Sequence, residues 1–100
     1  MGVKISVNDD EVLAKIDGDI DHHTAQDMRD HIDEVINSKF PKVLILDFSG
    51  VQFMDSSGIG LIMGRYRLMK SLAGVVKVIN MPSHIEKLIK LSGLGILGLI

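Results

Sequence analysis

A chain of 100 residues with 46% hydrophobic and 4% aromatic side chains has room for one compact domain, whose core must be built from Val, Ile, Leu and Met. Its formal charge of −2, from 11 basic and 13 acidic residues with no run of Lys and Arg, argues against nucleic-acid binding, which uses a basic stripe. The lack of cysteine excludes disulfides, thiolate metal sites and cysteine nucleophiles, and fits a reducing compartment.

The start, MGVKISVNDDE, lacks the long apolar run of a secretory signal, and beyond its Met-Gly only Ser6 matches an acylation pattern. Val3, Ile5 and Val7 alternate with polar residues, the period-2 pattern of a half-buried strand. Asn8-Asp9-Asp10 is turn chemistry, and Val12, Ala14 and Ile16 resume the alternation, so a hairpin is expected. From Asp21 the period changes. Ala25, Met28, Ile32, Val35 and Ile36 fall at helical spacing opposite Gln26, Asp27, Arg29, Asp30, Asp33 and Glu34, which predicts an amphipathic helix capped by Asp21 and ending before Phe40-Pro41.

Val43 to Leu46 is an unbroken apolar run, expected to be a strand covered on both faces, with Asp47 to Met54 as loop or irregular extension. Ser57 to Leu72 reads as a second helix stopped by Gly74, and Val75 to Ile79 as another strand. Ser83 with Glu86 forms the pattern of a capping box for a third helix, whose apolar face is Ile85, Leu88 and Ile89 and whose stop is Gly93. Ile96-Leu97 is expected to be a last short strand. The apolar C-terminus falls well short of the roughly 20 residues of a membrane span, so a cytoplasmic protein without membrane attachment is expected. Strand–helix–strand units favour parallel pairing and the hairpin adds an antiparallel edge, giving an α/β fold with a mixed, mostly parallel β-sheet and helices packed on it.

The most informative stretch is Phe53 to Gly60, where strand and loop deliver the chain into the second helix. A helix start gathers unpaired amides and the positive end of the macrodipole. With two adjacent serines, Ser57 can cap the helix while Ser56 presents its hydroxyl; equally, the segment can be no more than a capped helix. Along that helix Ile59, Ile62, Met63, Tyr66 and Met69 form one apolar arc and Leu61, Leu68 and Leu72 another. A sheet-packed helix needs one stripe, so the second arc is either wrapped by other elements or offered to a partner, and Gly60 and Gly64 leave a third side bare. Gly58, Gly60 and Gly64 lack the lysine of a phosphate-binding loop and the spacing of a dinucleotide fingerprint. His22, His23, His31 and His84 could supply a base, but Gly-x-Ser-x-Gly is missing, and the adjacent His22 and His23 are expected to diverge and to bind no metal.

Phe53-Met54-Asp55-Ser56-Ser57-Gly58-Ile59-Gly60 with Gly64-Arg65-Tyr66, Gly18 to Thr24, and Leu91-Ser92-Gly93-Leu94 together resemble three motifs of the anti-sigma factor antagonists with the STAS fold. The likeness runs in register over essentially the whole chain, as a single STAS domain spanning residues 1–100, and is greatest to the sporulation branch. The resemblance implies a binding protein, not an enzyme, that needs no cofactor. Its partner would be a nucleotide-dependent anti-sigma factor that is also a serine kinase, and binding it would release a sigma factor. It also implies phosphorylation at Ser56, which loosens the partner, and a serine phosphatase that reverses it. The contact surface carried over is Asp21, His22, Asp55, Ser56, Ser57, Gly58, Ile59 and Gly60. Family members continue into a C-terminal helix where this chain ends at Ile100, so Ile96, Leu97, Leu99 and Ile100 are expected to lack cover, and the protein to be a monomer or weak homo-dimer.

Overall fold

The computed structural model describes residues 2–99; Met1, from the Met-Gly start, and Ile100, from the expected apolar C-terminal set, lie outside the described residues. The chain order is β1 (Gly2–Asn8), β2 (Glu11–Asp17), α1 (His22–Lys39), β3 (Val43–Gly50), α2 (Ser56–Ser71), β4 (Val75–Ile79) and α3 (Ser83–Leu91), followed by a 3-10 turn at Leu94–Leu97. The sheet order is β1-β2-β3-β4. β1 and β2 form the antiparallel hairpin, while β2/β3 and β3/β4 are parallel.

The three adjacent strands β2, β3 and β4 are joined by α1 and α2, stepping each time in the same direction. Right-handed crossovers of that kind put both helices on one face. Burial follows suit: Val12 pairs with Leu44 and Leu44 with Val76, Ala14 with Leu46 and Leu46 with Val78, and all are sealed in the core together with Ile16 and Phe48. The opposite face carries Lys15, Lys77, Val75 and Ile79, all exposed, and Leu13, Ile45 and Asp47, half-buried. The expectation that Val43 to Leu46 is covered on both faces is therefore corrected: inward residues alternate with half-buried ones because helices lie on one side only.

Several expected boundaries also move. β3 runs on through Asp47 to Gly50, because Lys15 and Asp17 of β2 pair with Asp47 and Gly50 across a register shift. In α3, Ser83 is already helical and Pro82 takes the cap position; its carbonyl accepts the Ile85 and Glu86 amides, and no side-chain cap forms. Glu86 pairs instead with Lys90, one turn on, at 3.1 Å. The stop at Gly93 holds, with φ of 88°. Ile96-Leu97 lies in the 3-10 turn and not in a strand, and the Val78 amide bonded to the Leu99 carbonyl at 2.8 Å ties the following segment to the sheet edge. Leu99 is thus buried, Leu97 half-buried and Ile96 alone of the three 90% exposed.

The two arcs of α2 are wrapped. Leu61, Ile62, Arg65 and Met69 are buried; Ile59, Met63, Tyr66, Leu68 and Leu72 are partly buried against the core. Ile85, Ile89 and Leu94 join the same core cluster.

Candidate functional site

Two helix starts lie side by side at one end of the sheet. Beyond β2 and β3 the chains stay paired: the Gly18 amide reaches the Gly50 carbonyl at 3.1 Å, the Ile20 amide reaches the Phe53 carbonyl at 3.0 Å, and the Asp55 amide returns to the Ile20 carbonyl at 3.1 Å. Ile20 and Met54 form a parallel bridge, and both are buried. The next residue in each chain, Asp21 or Asp55, is an N-cap, so α1 and α2 begin next to each other with the same chemistry.

Asp21 Oδ1 accepts the His23 and Thr24 amides, both at 2.9 Å, and Thr24 Oγ1 accepts the Asp21 amide at 3.0 Å. This capping box holds the Asp21 carboxyl below its ordinary range, the Thr24 amide being the largest cause. Asp55 Oδ1 accepts the Ser57 amide at 2.8 Å. The cap of α2 is therefore Asp55, correcting the assignment to Ser57. Any of Asp55, Ser56 and Ser57 suits a cap; the Ile20–Met54 bridge selects the first by setting where the extended chain ends. Ser56 becomes the first helical residue, exposed, with no intramolecular hydrogen bond to its hydroxyl among the described residues.

Gly58 lies where a Cβ would collide with the Cγ and Sδ of Met54, so the helix start presses onto the bridge. At Gly60 and Gly64 a Cβ would meet nothing within 4 Å, which leaves a bare strip on α2 beside Ser56. The turn before the bridge is held from the far side by His84, whose Nε2 is 2.6 Å from the Gln52 carbonyl. From this pinned backbone Phe53 projects, 54% exposed.

The eight expected contact residues thus divide. Asp21, His22, Asp55, Ser56 and Ser57 occupy the twin helix starts; Gly60 is open; Ile59 is half-buried; and Gly58 is buried as a packing position. His22 and His23 do not diverge: at the first helical turn their rings stack, tilted, with centroids 4.0 Å apart. Nothing in the local pattern marks Arg65, Phe53 or His84 for the positions they hold. Arg65 belongs to the Gly64-Arg65-Tyr66 match, yet a charged side chain in a helix reads as solvent-facing until the fold packs α1 over it.

Arg65 is 5% exposed. Its Nε lies 2.7 Å from Asp33 Oδ1 on α1, but the N–H is not aligned on the carboxylate, so the contact is an ion pair without a hydrogen bond. Burial pushes Asp33 up and Arg65 down, and each charge only partly resists the other's shift. A groove between α1 and α2 opens beside this pair, lined by His22, Ala25, Gln26, Arg29, Ser57, Gly60, Leu61 and Arg65. No helix among the described residues is long and apolar enough to cross a membrane.

Residues 3–97 match the STAS domain family. The chain is 35% identical over 83 residues to the anti-sigma F factor antagonist of Paenibacillus polymyxa, covering 83% of this chain and 71% of that protein. In structure it is similar to the anti-sigma factor antagonist SpoIIAA in its unphosphorylated form, with a TM-score of 0.84 and 32% identity over 94% of this chain and 83% of that one. It is similar also to the Bacillus cell fate determinant SpoIIAA in the phosphorylated form, with a TM-score of 0.76 and 32% identity over 94% and 86%.

Proposed function

The chain belongs to the STAS domain family, and from that premise we propose that it is an anti-sigma factor antagonist of the cytoplasm, gated by phosphorylation of Ser56. It acts by binding and not by catalysis. The partner is an anti-sigma factor that is also a serine kinase; docking on the twin helix starts frees the sigma factor, phosphorylation at Ser56 ends the docking, and a serine phosphatase restores it. The observation that carries this reading is the exposed, unbonded Ser56 hydroxyl at the first position of α2, beside the bare strip at Gly60 and Gly64. A relative with a recorded phosphorylated form supports it.

The physics favours repulsion at the interface over unfolding. Phosphate adds about −1.5 to −2 charges at neutral pH. At a helix start the macrodipole offsets roughly 0.3–2 kcal/mol of this, while Asp21 and Asp55 oppose it. Across an interface, one like-charge contact near 4 Å costs ~4 kcal/mol at an effective dielectric of 20, about a thousandfold in affinity before salt screening. Phosphate therefore weakens docking more than it disturbs the fold.

Ser56→Asp is accordingly expected to keep the parent's Tm and to bind the anti-sigma partner far more weakly, measured by calorimetry beside a thermal melt. Ser56→Ala is expected to bind but to take no phosphate. Parent-level binding by Ser56→Asp sinks the mechanism, and labelling of Ser57 in a kinase assay moves the acceptor by one residue.

A further inference from the structure

We propose that two copies of this chain pair through their β1 edges, antiparallel about a two-fold axis at Ile5, so that one sheet runs through both. The claim concerns how the protein assembles and does not depend on the anti-sigma reading.

β1 stands at the end of the strand order, and among the described residues no strand pairs with its outer side. Edges of this kind are normally guarded by proline, a bulge, short length or several charges. β1 is seven residues long, its register with β2 is unbroken, it holds no proline, and its one charged side chain is Lys4. The two-residue turn at Asp9-Asp10 makes Asn8 and Glu11 a hydrogen-bonded pair. By alternation Lys4, Ser6 and Asn8 direct their backbone groups to β2, whereas Val3, Ile5 and Val7 aim N–H and C=O outward.

The edge is also complementary to itself. Val3, Ile5 and Val7 lie opposite the buried Ile16, Ala14 and Val12, so their side chains are on the helix-covered face. At one end of the strand Val7 stands 46% exposed. At the other, Val3 and α1 bound a cleft of about 440 Å³, open to solvent and lined by Gly2, Val3, Thr24, Asp27, Met28 and His31. A two-fold axis at Ile5 sets Val7 of each copy opposite Val3 of the other, on the same face and at that cleft. A knob and a hole at opposite ends of one strand are what an isologous contact uses, and such a contact closes on itself.

Register follows from length and charge. Centring on Ile5 pairs all seven residues, from Gly2 against Asn8 to Asn8 against Gly2, and brings the outward groups of Val3, Ile5 and Val7 together. Lys4 then faces Ser6 of the second copy. Centring on Lys4 would oppose two like charges, and centring on Ser6 would leave Gly2 and Val3 unpaired.

The test is sedimentation velocity on the whole chain across a concentration series, beside hydrogen exchange. Seven paired residues make a small interface against the roughly 1,200–2,000 Å² of stable complexes, so the dimer is expected only towards about 1 mM protein. The Val3, Ile5 and Val7 amides are expected to gain protection as concentration rises, while those of Lys4 and Ser6, already bonded to β2, stay as they were. Ser6 is exposed, so its variants are fold-tolerant. Ser6→Glu meets Lys4 of the second copy with an opposite charge and should tighten the dimer. Ser6→Lys meets it with a like charge and should loosen it, each by roughly tenfold because symmetry repeats the pair. Val7→Glu, which sets a carboxylate at the cleft beside Asp27, should abolish association while a thermal melt shows the fold intact. A purely monomeric species at about 1 mM overturns the proposal. So does self-association that Val7→Glu leaves intact, or that both Ser6 variants move in the same direction; either result puts the contact elsewhere, as at the exposed Ile96.

Discussion

At the scale of single residues, the first turns of α2 use two glycines for opposite ends. Gly58 is required by packing: a methyl group there would collide with the Cγ and Sδ of Met54, and Met54 is locked in the bridge to Ile20. Overpacking of this kind costs about 1–3 kcal/mol. Gly60, two residues on, faces open space. A methyl group there meets nothing and removes the entropic penalty of glycine in a helix, about 0.5–1 kcal/mol. Thermal melts should therefore separate the pair, with Gly58→Ala lowering Tm and Gly60→Ala raising it; one kcal/mol moves Tm by roughly 4–8 °C in a domain of this size. The same direction of change in both variants would contradict this packing account. Because helix propensity alone penalises glycine at both positions, a strip kept bare at Gly60 suits close approach by another molecule more than it suits the fold.

Elements defined by local pattern were legible in the sequence, and those defined by distant pairing were not. α1 has its Asp21 cap, its apolar stripe and its stop before Pro41 within one stretch of chain, and all three stand as read. The polar Asp47 and Ser49 make the end of β3 look like a loop, and pairing with Lys15 and Asp17 on one side and with Ile79 on the other keeps it extended. The same holds for the site. Its motifs mark the segment, but the choice of Asp55 over Ser57 as cap comes from a bridge to Ile20, and the burial of Arg65 comes from α1. The α1–α2 contact carries a testable cost. Burial shifts both Asp33 and Arg65 toward their neutral forms, so desolvation exceeds their attraction. Replacing such a pair by apolar side chains is commonly neutral or stabilising by about 1–4 kcal/mol. The double variant Asp33→Leu/Arg65→Met should therefore match or exceed the parent in urea unfolding. A clear loss of stability would mean that the ion pair holds the two helices together.

For the whole molecule, the carboxylates oppose one another as pH falls. Asp21 is lowered from 3.8 by the Thr24 amide first and by the His23 amide and Thr24 hydroxyl after it. For Asp47 burial is the largest single influence and raises it, but the Ser49 amide and hydroxyl, Asn80 and the Lys15 charge together outweigh burial and leave it below 3.8. Both residues contribute stability that is complete above the unfolded value and lost as pH drops through the folded one. Asp33 runs the other way: burial raises it above 3.8, so its contribution is complete below the unfolded value and is lost as pH rises through the folded one. Acidification from neutrality should thus first protonate Asp33 and raise Tm slightly, and then, below pH 3.8, disable the Asp21 cap and the Asp47 turn and lower it. Asp33→Asn, neutral throughout, should lose the initial rise and keep the later fall. A Tm that only declines from neutral pH, or a rise that survives in the Asn variant, would show that the Arg65 charge dominates Asp33 and that the α1–α2 contact is a net attraction.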